Sequence, residues 1–241
     1  MLKRLVKRVL ASRGYRVVRD EGQGAANVHR PTGQNLAWLK EFNIQTFIDI
    51  GAYVGEYVAF AHRFFPGVII YAFEPLKDAF AALKAKEREI SGLKVFNYAL
   101  GEKETTTQIH RSSYAPSSSL LKMTSLHTEA FPHTAGYEIE MITMRRLDDV
   151  FQDLPIRPNT FVKIDTQGYE HRVIEGGREV LSQANAIQIE TSFAMLYEDQ
   201  VLFDKIYTQL RSLGFSFHGV LNQIYSPKDG SILQAHAYFI K

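Results

Sequence analysis

Asp49, Gly51 and Gly55 stand in one short run, Asp49-Ile50-Gly51-Ala52-Tyr53-Val54-Gly55-Glu56, directly after the apolar residues Thr46–Ile48. Where a strand turns into a helix, glycines let backbone approach a ligand closely. A carboxylate beside them adds an acceptor to the crevice at the carboxyl end of a sheet. Asp49, Gly51, Ala52 and Gly55 are therefore expected to form a cofactor crevice, the alternative being an ordinary tight turn. A pyrophosphate cradle would need a G-x-G-x-x-G spacing, whereas these glycines stand four apart, which argues against a nicotinamide enzyme. The next apolar run closes at Phe73-Glu74-Pro75, with Glu74 23 residues after Gly51. An acid there can accept hydrogen bonds from both hydroxyls of a ribose. Asn97, just before Ala99, could offer its amide to an adenine edge or cap its own loop. Together these residues point to a nucleoside site.

The elements that must carry them alternate. Apolar runs at 46–50, 68–73, 93–98, 161–164, 186–189, 215–220 and 235–240 read as strands. Helical patterns at 57–65, 79–90, about 170–182 and about 200–213 separate most of them. Nearly continuous apolar strands alternating with helices predict an α/β fold, a parallel sheet covered on both faces. Residues 105–144 interrupt the rhythm: 105–110 and 138–143 read as added strands around a Ser-, Thr- and His-rich loop. A loop of that length is expected to bind something or to move.

Composition narrows the classes. A chain of 241 residues with 45% hydrophobic residues is expected to form one domain with a large core. It has no Cys, which removes zinc fingers, iron–sulfur clusters, thiol nucleophiles and disulfide scaffolds. The net charge of +2 is uneven: residues 1–19 hold seven bases and no acid, leaving 21 bases against 26 acids in the rest, a net of −5. A body of that sign argues against nucleic acid as its partner. Leu2, Leu5, Val6, Val9 and Leu10 fall on one helical stripe, with Lys3, Lys7 and Arg8 off it, and Gly14 stops the pattern. Such an arm could rest on an anionic membrane surface or pack on the main domain. It is too short in apolar run for a signal peptide or a span. The expected division is residues 1–43 as arm and linker and 44–241 as the main domain, located in the cytoplasm. Membrane contact by the arm would make it peripheral at the inner face.

The chain resembles the FkbM family of S-adenosylmethionine-dependent methyltransferases over roughly residues 44–240. The likeness rests on Phe47–Ala52 with Gly55-Glu56-Tyr57, Phe73-Glu74-Pro75, Asn97–Gly101, Ser118-Ser119-Leu120, Arg146–Asp149 and, most specifically, Val162-Lys163-Ile164-Asp165-Thr166-Gln167-Gly168-Tyr169-Glu170. Tyr53 departs from the family pattern, which usually has Asn there. The resemblance implies a class I methyltransferase, Rossmann-like sheet of seven strands with one antiparallel, extended by an N-terminal helix and a small inserted hairpin. It implies S-adenosylmethionine bound across Gly51, Glu74, Asn97 and Ala99, and methyl transfer to a hydroxyl on a sugar, glycan or glycolipid. N-methylation, or a non-catalytic scaffold on the same fold, are the alternatives.

For such a transfer the acceptor must be held in line and lose a proton. Asp165, ending the fourth strand, is the first expectation for the base; its alternative is to cap the turn at Gly168. Glu170 and His171 follow at a helix start, which would keep Glu170 ionised and lower the His171 pKa. Ser118, Ser119, His127 and Glu190 are expected at the acceptor. Asp165 and Glu190 with one more oxygen could instead hold Mg²⁺, although no metal is expected. Lys163, inside an apolar strand, is expected to reach the surface or pair with an acid.

Overall fold

The structure, a computed structural model, describes residues 36–241. The basic stripe of residues 1–19 and the linker at 22–35 lie outside the described residues. Seven strands form one sheet. They are β1 (Thr46–Ile50), β2 (Ile69–Phe73), β3 (Leu93–Phe96), β7 (Thr160–Ile164), β8 (Ala186–Ser192), β9 (Ser216–Tyr225) and β10 (Ile232–Ile240), in the order β3-β2-β1-β7-β8-β10-β9. Every pairing is parallel except those of β10, which runs antiparallel to both β8 and β9. This is the expected sheet of six parallel strands and one antiparallel. The order reverses between β1 and β7, which opens a crevice at their carboxyl ends.

The sheet's two faces differ. On one, Ile48, Ile50, Val162, Ile164, Ile187, Ile189, Ala237 and Phe239 pack in an apolar core. Val173 and Ile174 of helix α5 (Glu170–Gly176) and Ile206 and Leu210 of helix α7 (Phe203–Ser212) complete it. On the other, Phe47, Phe161, Ala186 and Tyr238 pack against Tyr57, Val58 and Ala61 of helix α1 (Glu56–Phe64). Two residues further along, the same face turns polar. Register places Asp49 beside Lys163, Lys163 beside Gln188, and Glu190 beside His236, all buried. Strand alternation thus gives one oily face and one whose carboxyl end carries a ribbon of polar groups. Each of β1, β7 and β8 is buried along its whole length, so those groups must find partners within the protein.

The inserted segment forms a second sheet, in the order β4-β6-β5, from β4 (Ala99–Leu100), β5 (Thr105–Ser112) and β6 (Tyr137–Arg145). The two strands expected in 105–144 form the antiparallel hairpin β5–β6. The segment between them, read from sequence as a loop, contains helix α3 (Ser125–Ala130), capped by the Thr124 hydroxyl on the His127 amide. Remaining short helices are α2 (Lys77–Ala85), α4 (Leu147–Val150) and α6 (Arg178–Ser182). No described helix is long and apolar enough to cross a membrane.

Candidate active site

A cavity of about 290 Å³ opens at the carboxyl ends of β1, β2 and β7 and is roofed by the insertion. Its floor begins at Gly51, whose φ of +78° suits glycine. A Cβ at this position would lie 1.9 Å from the Asp165 carbonyl oxygen, so the β1 and β7 turns can touch only because residue 51 has no side chain. The amides of Gly51 and Ala52 both donate to the Phe73 carbonyl, at 3.1 and 3.0 Å, tying the first turn to the end of β2. Glu74 lies at that end, 5% exposed, and accepts from the amides of Tyr53 and Leu76, both at 2.8 Å. Each carboxylate oxygen keeps a second lone pair for a ligand hydroxyl. Burial pushes the Glu74 carboxyl up to about 7, against the pull of those two amides.

The sign of that shift gives a test on the ligand-free protein. Unfolded, Glu74 ionises near 4.5; folded, near 7. Its contribution to stability is therefore greatest below 4.5 and is lost as pH rises to about 7. Glu74→Gln imitates the neutral form, so the variant's melting temperature relative to wild type should climb between pH 4.5 and 7 and then level off. Calorimetric scans across that range would show a flat difference if Glu74 titrated normally.

Lys163 ties the two turns together electrostatically. Its ammonium lies 3.3 Å from an Asp49 oxygen, 3.4 Å from an Asp165 oxygen and 3.2 Å from the Gly51 carbonyl, and 4.9 Å over the Tyr57 ring. The expected pairing with an acid is thus a pairing with two. The two carboxylates outweigh burial and hold the lysine above its ordinary range. Asp165 borders the cavity and also accepts from Gln167 Nε2 at 2.8 Å.

Of the expected site residues, Gly51, Ala52, Glu74, Ala99, Ser118, Ser119 and Asp165 line the cavity. The others lie elsewhere. Asp49 is fully buried beneath it, since alternation turns its side chain to the Lys163 face. Gly55 starts α1, where a Cβ would collide with Leu83. Asn97 donates its amide to the Glu74 and Pro75 carbonyls, both at 3.0 Å, which is the loop-capping alternative. Glu170, rather than Asp165, locks the following turn: its Oε1 accepts from the Thr166 amide at 2.8 Å and the Gly168 amide at 3.1 Å. Burial raises Glu170 to about 7, where a helix start was expected to keep it ionised. His171 is buried on α5 and lies outside the cavity lining; burial, then Arg172, lowers its pKa. His127 packs its ring on Tyr197 and Phe131, at 4.9 and 5.3 Å, with burial lowering it to about 4. It is a core histidine. Ser118 and Ser119 line the cavity, but their hydroxyls are engaged: Ser118 Oγ accepts from the Ser112 amide, and Ser119 Oγ donates to the Gln167 carbonyl at 2.7 Å.

Glu190 lies behind Asp165 and is 2% exposed. The third group near the pair is the imidazole of His236, not an oxygen. The Gln167 amide donates to both carboxylates, and Lys163 holds the other oxygen of Asp165. An ammonium and an amide already donating to the acids, with a nitrogen as the third group, do not suit Mg²⁺, which seeks oxygens. Sequence reasoning missed the cavity residues Tyr53, Tyr57, Tyr98, Tyr114 and Gln167. Tyr53, Tyr57, Tyr98 and Gln167 stand in or beside the runs that carry the family resemblance; Tyr114 carried no signal.

A doubly wound sheet with one reversed strand, and an acid closing β2 opposite a glycine turn, define a class I S-adenosylmethionine-dependent methyltransferase. The family model for the methyltransferase FkbM domain matches residues 49–217, and the chain belongs to that family. Among curated relatives, the 31-O-demethyl-FK506 methyltransferase FkbM of Streptomyces tacrolimicus is 26% identical over 195 residues, covering 70% of this chain and 71% of that protein. The 2-O-methyltransferase NoeI of Sinorhizobium fredii is 23% identical over 188 residues, covering 73% and 77%. Among solved structures, the magnesium protoporphyrin IX methyltransferase ChlM of Synechocystis, with bound SAM, aligns over 99% of this chain and 96% of its own at 12% identity and a TM-score of 0.49.

Proposed function

We propose that this methyltransferase acts on oxygen, transferring the methyl group of S-adenosylmethionine to a hydroxyl of a sugar or glycan. The observation that carries the reading is Asp165, a carboxylate bordering the cavity with the Lys163 ammonium behind it. A hydroxyl must give up its proton as it is alkylated, and a carboxylate within reach can take it. An amine acceptor would need only to be neutral. Support comes also from the two relatives, each of whose names records an O-methylation or the O-demethylated substrate of one.

The residues lining the cavity suit the cofactor chemically. Gly51 and Ala52 offer close backbone approach, and Glu74 offers lone pairs for ribose hydroxyls. Glu74 and Asp165 lower the cost of holding a cation. When bound, S-adenosylmethionine supplies an electrophilic methyl group on a sulfonium. The chain's part is to orient the acceptor, with the tyrosine rings of Tyr53 and Tyr114 giving flat apolar surface against which a sugar ring can lie.

The test combines calorimetry with S-adenosylhomocysteine and incubation with methyl-labelled cofactor and a panel of sugars, glycolipid precursors and amines. Label in a methyl ether is the expected result. Label found only on amines would overturn the choice of oxygen, and absence of S-adenosylhomocysteine affinity would favour a scaffold.

A further inference from the structure

The polar ribbon contains more carboxylates than cations. Facing one another across β1, β7, β8 and β10 are Asp49, Asp165 and Glu190, with Lys163 and His236, and Glu170 approaches from α5. Lys163 contacts Asp49 and Asp165. His236 is the nearest nitrogen-bearing ring to Glu190, with its Nε2 3.8 Å from Oε1. Its Nδ1 faces two amide nitrogens, Asn222 Nδ2 at 3.2 Å and Gln188 Nε2 at 3.4 Å. The Gln188 side chain also meets two tyrosines: the Tyr238 hydroxyl donates to Oε1 at 3.0 Å, and the Tyr57 hydroxyl accepts from Nε2 at 2.8 Å. With those amide nitrogens donating, Nδ1 accepts, and Nε2, 3.8 Å from Glu190 Oε1, stands beyond hydrogen-bond distance.

Gln167 joins Asp165 to Glu190. Its Nε2 donates to Asp165 Oδ1 at 2.8 Å and to Glu190 Oε2, and its Oε1 accepts from the Tyr197 hydroxyl at 2.9 Å. The reverse orientation would set a carbonyl oxygen 2.8 Å from a carboxylate. Gln167 has a left-handed φ of +55°, and its carbonyl accepts from Ser119 Oγ of the insertion, so the bridge is held from three sides. Two carboxylates this close, one of them buried, cannot both ionise cheaply.

We propose that Asp165 and Glu190 form a carboxyl dyad sharing one proton, with Glu190 carrying it, Asp165 ionised towards the cavity, and Gln167 as the residue that positions them. Burial favours the neutral form of Glu190, and the charges of Asp165 and Glu170 add to it. In use, which rests on the oxygen-methylation reading above, the acceptor's O–H bond breaks as an O–H bond forms on Asp165. That proton then leaves through the cavity mouth while the one on Glu190 stays. Glu190 acts through Asp165: it limits the site to one negative charge and keeps Asp165 basic enough to work but ionised.

The experiment is carbon-13 NMR of the full chain labelled at the side-chain carboxyls of Glu, titrated without acceptor. At pH 7 one neutral carboxyl should be the last Glu to ionise, and it should be absent from Glu190→Gln. In Asp165→Asn its midpoint should move to lower pH, because a negative neighbour has gone. If Glu190→Gln does not fold, Glu170→Gln, which removes the other Glu raised by Asp165, should leave the last-ionising signal present and so assign it to Glu190. A Glu190 signal already ionised at pH 7, or a last-ionising Glu that stays in place in Asp165→Asn, overturns the dyad. Neither result depends on turnover, so failure of the oxygen-methylation reading would leave this titration unchanged.

Discussion

Asp165→Asn is expected to lower turnover by about 10²–10⁴-fold, the usual contribution of a positioned base, while S-adenosylhomocysteine affinity stays within a few-fold of wild type. The separation follows from the division of labour in the turn after β7. Glu170 holds the amides of Thr166 and Gly168, so the turn does not depend on Asp165 for its shape. Gly51 and Glu74, on the other side of the cavity, have their own anchors in the Phe73 carbonyl and the amides of Tyr53 and Leu76. Asn has the same size and can still accept from Gln167, and Lys163 keeps Asp49 as its ion-pair partner, so the shape of the turn is preserved. Single-turnover methyl transfer and calorimetry measure the two quantities independently. Equal loss in both would assign Asp165 an architectural role.

Lys163→Met should destabilise the ligand-free protein by about 3–5 kcal/mol, the range for breaking a buried ion pair from one side. Methionine fills similar volume, so the effect is one of charge. Asp49 is fully buried and loses the only ammonium beside it among the described residues. Burial already raises its pKa, and without Lys163 the carboxyl would gain a proton more readily still. The sign is thus fixed: the loss is largest at neutral pH and shrinks as pH falls below the ordinary Asp value of 3.8, towards about pH 3, where Asp49 is largely neutral in both folded and unfolded chains. Urea midpoints at the two pH values check this. Adding Asp49→Asn to Lys163→Met should recover much of the stability at pH 7, and no recovery would mean that Lys163 serves Asp165 alone.

The sheet was largely legible because its strands are buried on both faces and read as apolar runs. The strand-ending acids were legible because the carboxyl ends of such strands form the crevice. What could not be read was which way each acid would face. Asp49 and Asp165 close adjacent strands in similar fashion, yet Asp165 reaches the cavity while Asp49 remains beneath it, two residues lower on the Lys163 face. Asp165 was the residue with a turn-capping alternative at Gly168, and only the backbone path decides that Glu170 meets those amides instead. His127 shows the other limit. A histidine in a polar loop suggests solvent, but the loop forms a helix whose packing on Tyr197 comes from a strand-end segment 70 residues away.

The asymmetry between the sheet's two faces also bears on how the chain finds its register. Parallel apolar strands such as β1, β7 and β8 are easily paired one residue out of step, because Ile, Val and Phe are nearly interchangeable in oil. A slip of one residue in β7 would move Lys163 from the side of Asp49 to the face filled by Ile48, Ile187 and Leu210, exposing a bare ammonium to hydrocarbon. The same slip in β8 would strand Glu190 there. The ionic groups that equip the site therefore also act as alignment marks: they penalise misfolded pairings far more heavily than they stabilise the correct one.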